Sequence, residues 1–410
     1  MPSLSLSLSL SSLAVLGGGR SPTLSIMGNR NALATATRTA QYFASAIIRK
    51  NGPRPIKRVR AVLPWWYVNL TEDEVGPGAG CTWWCWVEYP VGGTAVALAH
   101  GGSTTLTAAD LSNAWAEADI DIPAGAYYRV HLKIDRGASG LIPQNTHAAA
   151  ITSDRYALTT NAQNYTPGSA TSAGTSAGVN AVTPILLGYS TDTTPAFIGV
   201  GDSILHAIGL RSDWSTGADA DGNISYWDKL VCQSSYDCLN FGRSGSQASV
   251  LYNSGNPAKM AKRLEIMAMC GLRPIVVNEL GHNDLGASIS ALQGYTEGLN
   301  SFWASIARET IMTTLTPWTG NPFDAGTQAD LSSGKIATYN ALVRGGSIAG
   351  ASTSKYIDLN AATRLGSNEL LWNTVGGNYT GDGIHPNAYG DNQAAATLRT
   401  LTSDMATIAA

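Results

Sequence analysis

The chain has 410 residues, of which 13% are charged, with a formal net charge of −3 and 44 glycines. That length accommodates two domains with sizeable cores. The near-neutral balance gives no electrostatic reason to bind polyanions, so nucleic acid is not an expected partner, and no apolar run approaches the ~20 residues of a membrane span.

The opening stretch, MPSLSLSLSLSSLAVLGGGR, has no basic residue before Arg20 and alternates Leu with Ser. Residues 1–30 therefore read as a flexible or strand-like extension rather than a signal peptide. From Arg58 to Asp135 the segments VRAVLPWWYVNL, CTWWCWVEYPV, TAVALAH and YYRVHLKI alternate apolar and polar residues between Gly, Pro, Asn and Asp, which predicts an all-β, sandwich-like accessory domain over 31–165. Trp65, Trp66, Trp83, Trp84, Trp86 and Trp115 fall within it. Aromatic faces stack on sugar C–H groups, so a carbohydrate-binding platform is one reading. The other is that alternate members, such as Trp84 and Trp86, fill the sandwich core, and strand alternation favours it.

A Ser/Thr/Gly/Ala-rich linker or connecting strand follows over 166–190. It contains GTSAG, a match to the nucleophile-elbow pattern at Ser176, which is set aside because no strand precedes it and no helix follows. Cysteine usage is equivocal. Local disulfides Cys81–Cys85 and Cys232–Cys238 with a lone Cys270 fit as well as five reduced thiols, and a CxxxC without a second pair or nearby histidine does not make a zinc site.

After Thr191 strand-like and helix-like segments alternate. PAFIGVG, CLNFG, RPIVVNELG, TIMTTLTP and KYIDL read as strands. The segment from Ser203, NPAKMAKRLEIMAMC, SISALQGYTEGLNSFWASIARE, KIATYNALVRGG and the stretch from Pro386 read as helices. This rhythm predicts an α/β domain over 191–410, a parallel sheet covered on both faces, with its chemistry in loops at the carboxyl ends of the strands.

Those loops carry complementary parts for acyl transfer. Ser203 in GDS needs a base to act as a nucleophile. Gly245 in FGRSGS can present a backbone N–H, and Asn283 in GHND a side-chain amide, to an oxyanion. Asp382 and His385 in DGIHP supply a base with its orienting carboxylate. His206 lies near Ser203 in sequence, but its side chain starts from the helix flank and no carboxylate stands ready to orient it, so it is expected to be a bystander. His282 is expected to pack or contact substrate, Asp202 and Asp284 to brace their loops, and His100, His131 and His147 lie outside any motif.

The blocks GDSI, NFGRSGS, GHND and DGIHP resemble those of the SGNH hydrolases, or GDSL-like esterases, over about 191–410, with Ile204 where the family has leucine. The resemblance implies a flavodoxin-like three-layer α/β/α fold and a nucleophile Ser203. It implies His385 as base and acid, oriented by Asp382, and an oxyanion hole of Ser203, Gly245 and Asn283. It implies no metal or organic cofactor. The expected reaction is hydrolysis of short-chain, O-acetyl-type esters, on a small molecule or polysaccharide. Lipid or polyester hydrolysis and a non-catalytic binding or structural module are the alternatives. The Leu-Ser extension and two-part build suit an extracellular, surface or virion setting; oligomeric state and compartment are left open.

Overall fold

The computed structural model describes residues 21–31, 34, 36–144, 155–159, 184–206, 223, 225–252, 257–401 and 408–409. Strands occupy β1 (Thr23–Ile26), β2 (Asn29–Asn31), β3 (Ala36–Lys50), β4 (Ile56–Trp65), β5 (Tyr67–Val68), β6 (Glu74–Val75), β7 (Cys81–Glu88) and β8 (Ala95–Ala97). They continue as β9 (Leu106–Ala108), β10 (Ser112–Ile122), β11 (Tyr127–Gln144), β12 (Arg155–Thr159) and β13 (Ile185–Ser190). Two antiparallel sheets result, one in the order β1-β13-β4-β10 and one in the order β12-β3-β11-β7-β8, with β9 paired to β7. Val59, Ala61 and Leu63 of β4 share a core with Phe43 of β3, Trp83 and Cys85 of β7 and Leu132 of β11, so the sheets face each other.

The phase of β7 corrects one expectation. Cys81, Trp83, Cys85 and Val87 point inward, whereas Trp84 and Trp86 lie half-buried on the opposite face. Lys133 stands 4.9 Å over the Trp84 ring and Trp86 packs on Ala44 and Ala46. The alternation is as expected, but the small thiols and Val87 share the inward phase with Trp83. The local disulfide expected between Cys81 and Cys85 does not form. Four residues along one strand separate Cys81 from Cys85 by about 13 Å, beyond the ~7 Å limit for bridging, and Cys81, Cys85 and Cys270 are free, buried thiols. The Cys232 side chain lies outside the described residues.

The second body is a parallel sheet of β14 (Phe197–Val200), β15 (Cys238–Asn240), β16 (Ile275–Asn278), β17 (Glu309–Thr313) and β18 (Tyr356–Ile357). Its order is β18-β17-β16-β14-β15-β2. The central strands are short, buried and mostly apolar because both faces are covered. Ile198, Val200 and Val276 pack with Leu251, Ile266, Met267, Leu299 and Trp303 of the helices Ala248–Tyr252, Ala261–Ala268 and Ile289–Trp303. On the other face Phe197, Val277 and Ile311 pack with Trp227, Leu230, Leu359, Ala394 and Leu398 of the helices Tyr226–Gln233, Leu359–Thr363 and Ala388–Leu401.

The two bodies are interlocked. Leu24, Ile26, Val62, Ile185 and Leu187, on the outer face of the four-stranded sheet, belong to the same core as Ile266 and Cys270. That sheet is therefore buried on both faces, which explains the unbroken AVLPW run ending β4. Strand β2 pairs in parallel with β15, Asn29 opposite Cys238. Buried Asp237 accepts from the Gly28 amide at 2.7 Å, the Gly52 amide at 3.0 Å and Arg54 Nη2 at 2.8 Å. The stretch read as an extension over 1–30 thus ends in strands of both bodies, and the connecting stretch over 166–190 ends in β13, a member of the four-stranded sheet. Residues 1–20 and 166–183, with Ser176 and His147, lie outside the described residues. Among the described residues no helix is long and apolar enough to cross a membrane.

Candidate active site

The sheet order reverses between β14 and β16, the point at which the loops leaving the carboxyl ends of parallel strands diverge in such folds. After β14 the chain turns sharply. Asp202 Oδ1 accepts from the Ile204 amide at 2.9 Å and its carbonyl from the His206 amide at 3.0 Å, so Ser203, only 6% exposed, opens one tight turn. The helix expected from Ser203 can be followed only through this turn, since 207–222 lie outside the described residues. Beneath the turn sits Glu279, the residue after β16, whose Oε2 accepts from the Asp202 amide at 3.1 Å. A Cβ on Gly201 would stand 2.2 Å from that oxygen, so glycine is required for the carboxyl to reach the turn. Burial raises the pKa of both Asp202 and Glu279, and for Glu279 the nearby Asp202 charge adds to the rise.

The partner of Ser203 comes from the other end of the domain. His385 Nε2 lies 2.8 Å from Ser203 Oγ, and its Nδ1 lies 2.7 Å from Asp382 Oδ2. The other carboxylate oxygen accepts from the amides of Ile384 at 2.9 Å and His385 at 2.8 Å. Burial opposes the charge on Asp382, but the His385 ring and these two amides outweigh it and hold the carboxyl well below its ordinary range. The loop is pinned at Gly383, whose carbonyl accepts from the buried Trp372 Nε1 at 2.8 Å and the Thr319 amide at 2.9 Å. Gly383 has φ +82°, and a Cβ there would meet the Thr319 oxygen at 2.1 Å.

Gly245 is exposed, with φ +78°. Asn283 Nδ2 donates to the neighbouring Ser246 carbonyl at 3.0 Å, while Gln247 Nε2 donates to the Asn283 carbonyl at 2.9 Å. Asn283 is thereby joined to the two residues that follow Gly245. The loop that carries Gly245 is tied to the Ser203 turn: the Arg243 amide donates to the Gly201 carbonyl at 3.0 Å and the Ser244 amide to His206 Nδ1 at 3.2 Å.

His206 is therefore buried and holds the Gly245 loop against the turn. Asp202 and Asp284 brace as anticipated, Asp284 accepting from the Ala248 amide at 2.7 Å and the Ser249 amide at 3.1 Å. His282 lies inside, its Nε2 3.1 Å from the Thr316 carbonyl and its ring 5.7 Å from that of Trp318. Burial pushes its pKa down to about 4, against the Thr316 carbonyl. His131 is bonded to Glu88 within the β-sandwich at 2.7 Å, and His100 meets Trp115 edge to face. Glu279 and Glu72 escaped the sequence reading. An acidic residue closing the apolar run IVVN was a readable signal for Glu279, whereas Glu72 sits in no motif. Among the described residues no cluster of three or more His, Cys, Asp or Glu could hold a metal ion.

A hydroxyl, an imidazole and a carboxylate in hydrogen-bonded series can move the serine proton onto the ring as the oxygen attacks a carbonyl. Residues 200–392 match the model of the GDSL-like Lipase/Acylhydrolase family. Among solved structures the chain is similar to an acetylxylan esterase from Geobacillus stearothermophilus, with 18% identity and a TM-score of 0.35 over 51% of this chain and 95% of that one. A GDSL-like lipase from Bacteroides thetaiotaomicron aligns at 14% identity and a TM-score of 0.34, over 51% of this chain and 90% of that one. No curated protein matches the chain.

Proposed function

We propose that the chain, whose residues 200–392 match the GDSL-like Lipase/Acylhydrolase model, is a serine esterase working through an acyl-Ser203 intermediate. The observation that carries this reading is the continuous series from Ser203 Oγ through His385 to Asp382, at 2.8 and 2.7 Å. His385 takes the hydroxyl proton as Ser203 attacks, then returns it to the departing alcohol; water repeats the sequence to release the acid. The tetrahedral oxyanion is held by the Ser203 and Gly245 amides and by Asn283, whose Nδ2 has a second hydrogen beyond the one given to Ser246.

The α/β body is taken as flavodoxin-like and three-layered. Its own strands run 2-1-3-4-5 in order of appearance, with helices packed on both faces. The substrate class we infer is a short acyl, O-acetyl-type ester on carbohydrate. Aromatic faces support it: Trp318, half-buried beside His282, and the half-buried Trp84 and Trp86 on the outer sheet.

The test is p-nitrophenyl acetate turnover by wild type, Ser203→Ala, His385→Ala and His206→Ala, with acetate release from acetylated xylan compared against p-nitrophenyl esters of longer chains. Ser203→Ala and His385→Ala are expected to lose about 10³-fold or more in kcat, His206→Ala far less. A His206→Ala enzyme that is dead beside a working His385→Ala would overturn the choice of base, and preference for long acyl chains would overturn the acetyl reading.

A further inference from the structure

We propose that the β5–β6 hairpin of the N-terminal sheets is a working part of the active site, in which Glu72 is a positioning residue for the loop carrying Gly245. The inference rests on the reading of Gly245 as an oxyanion donor. The hairpin follows directly from β4 and reaches the Arg243–Ser249 loop. Glu72 Oε1 accepts from the Gln247 amide at 2.9 Å and stands 3.9 Å from Arg243 Nη1. Arg243 Nη2 donates in turn to the Asn69 carbonyl at 2.9 Å. The loop is thus gripped on one side by the hairpin, on another by Asn283 and Asp284, and on a third by His206.

Two features of Glu72 mark it as more than a surface turn residue. It has φ +63°, a left-handed conformation that is strained for any side chain larger than glycine. It is also 3% exposed, although a carboxylate in a hairpin turn would ordinarily be solvated. Both costs are met by bonds to the two residues that flank the Gly245 segment. Burial raises the Glu72 pKa, and the Gln247 amide, Arg243 and Arg263 oppose that rise.

The hairpin is held firmly enough to transmit this position. Glu74 accepts from Arg263 Nε at 2.8 Å and from the Lys262 amide at 2.6 Å, and Lys259 bonds the Thr71 carbonyl at 2.6 Å and Asp73 at 2.7 Å. The strand Glu74–Val75 is therefore fixed to the helix Ala261–Ala268, and Lys259 fixes the tip on either side of Glu72, which in turn sets the loop. Misplacing a reacting or stabilising group by about 1 Å costs as much as 10²-fold in rate.

The test uses the full chain and p-nitrophenyl acetate, with Glu72→Ala, Glu72→Gln, Glu72→Asp and Ser203→Ala. Glu72→Ala is expected to lower kcat about 10- to 100-fold with KM within about threefold. Glu72→Gln, whose amide oxygen still accepts from Gln247, is expected to restore kcat to within about fivefold of wild type. A kcat for Glu72→Ala within about twofold of wild type, a loss confined to KM, or a Gln variant as slow as the Ala variant would each overturn the proposal. Should Glu72→Ala fail to fold, Glu72→Asp decides. Its carboxylate is drawn back from Gln247, so a reduced kcat at unchanged KM supports the role and a wild-type kcat overturns it. Full activity of Ser203→Ala would instead remove the serine-esterase reading on which the proposal stands.

Discussion

Replacing Asp382 by Asn tests the chemistry without disturbing the fold. One carboxylate oxygen accepts from the Ile384 and His385 amides and from Thr380 Oγ1; the other faces His385 Nδ1. An Asn carbonyl oxygen must take the first position, because an NH₂ group there would confront three donors. The NH₂ then faces His385 Nδ1 and forces the tautomer with the proton on Nε2. That nitrogen, 2.8 Å from Ser203 Oγ, becomes a donor and can no longer accept the hydroxyl proton. The expected loss is about 10⁴-fold in kcat, or roughly 5.5 kcal/mol of barrier, with little change in KM. Thermal unfolding should move little, since the amide contacts are kept. Asp382→Ala, which leaves two amides without their acceptor at roughly 1–3 kcal/mol each, should unfold markedly earlier. An Asn variant retaining more than about a tenth of wild-type kcat would refute the argument that Asp382 sets the His385 tautomer.

Other consequences follow from the same contacts. Gly383→Ala combines φ +82° with a 2.1 Å approach to the Thr319 oxygen, so at least about 1–3 kcal/mol of stability should be lost and kcat should fall with it; calorimetry beside initial rates reads both. The His282 pKa is about 4 in the folded chain against an unfolded value near 6.5. Because the folded value is depressed, the unfolded chain binds the extra proton first. Stability is therefore complete above about pH 6.5 and declines by roughly 3 kcal/mol on descending to pH 4. Urea titrations across that range should show the slope, and His282→Gln should flatten it. A chain beginning at residue 191 lacks β2, the Glu72 hairpin and the sheet that covers Ile266 and Cys270, and is expected to be insoluble or inactive; a soluble, fully active fragment would show the bodies to be separable.

The parallel sheet was legible because most of its strands are brief apolar runs bounded by turn residues, and Ser203, Asp382 and His385 could be picked out as candidates because chemical roles restrict residue type. The relation between the halves was not. Strand β3, ATRTAQYFASAIIRK, has its alternation diluted by Ala, Ser and Gln. Strand β10 hides behind charges that Arg58 and Arg60 neutralise across the ladder, Arg60 reaching Glu117 at 2.7 Å. The sequence shows no trace of such pairing, nor of a hairpin that lies far from Gly245 in the chain but bonds to its loop. The phase of Trp84 and Trp86 was misjudged for a related reason: periodicity gives alternation, while the choice of inward face depends on what the opposite sheet offers.

Strand β2 also carries a consequence for assembly on the ribosome. Asn29 is made 209 residues before its ladder partner Cys238, from 238 less 29. At the usual pace of synthesis the interval is roughly 10 to 40 s, throughout which this edge segment must wait with its main-chain groups unclaimed by the sheet it will join. Strand β2 is thus made long before the partner that places it, and its pairing with β15 ties the first body to the second while β16, β17 and β18 are still to be made.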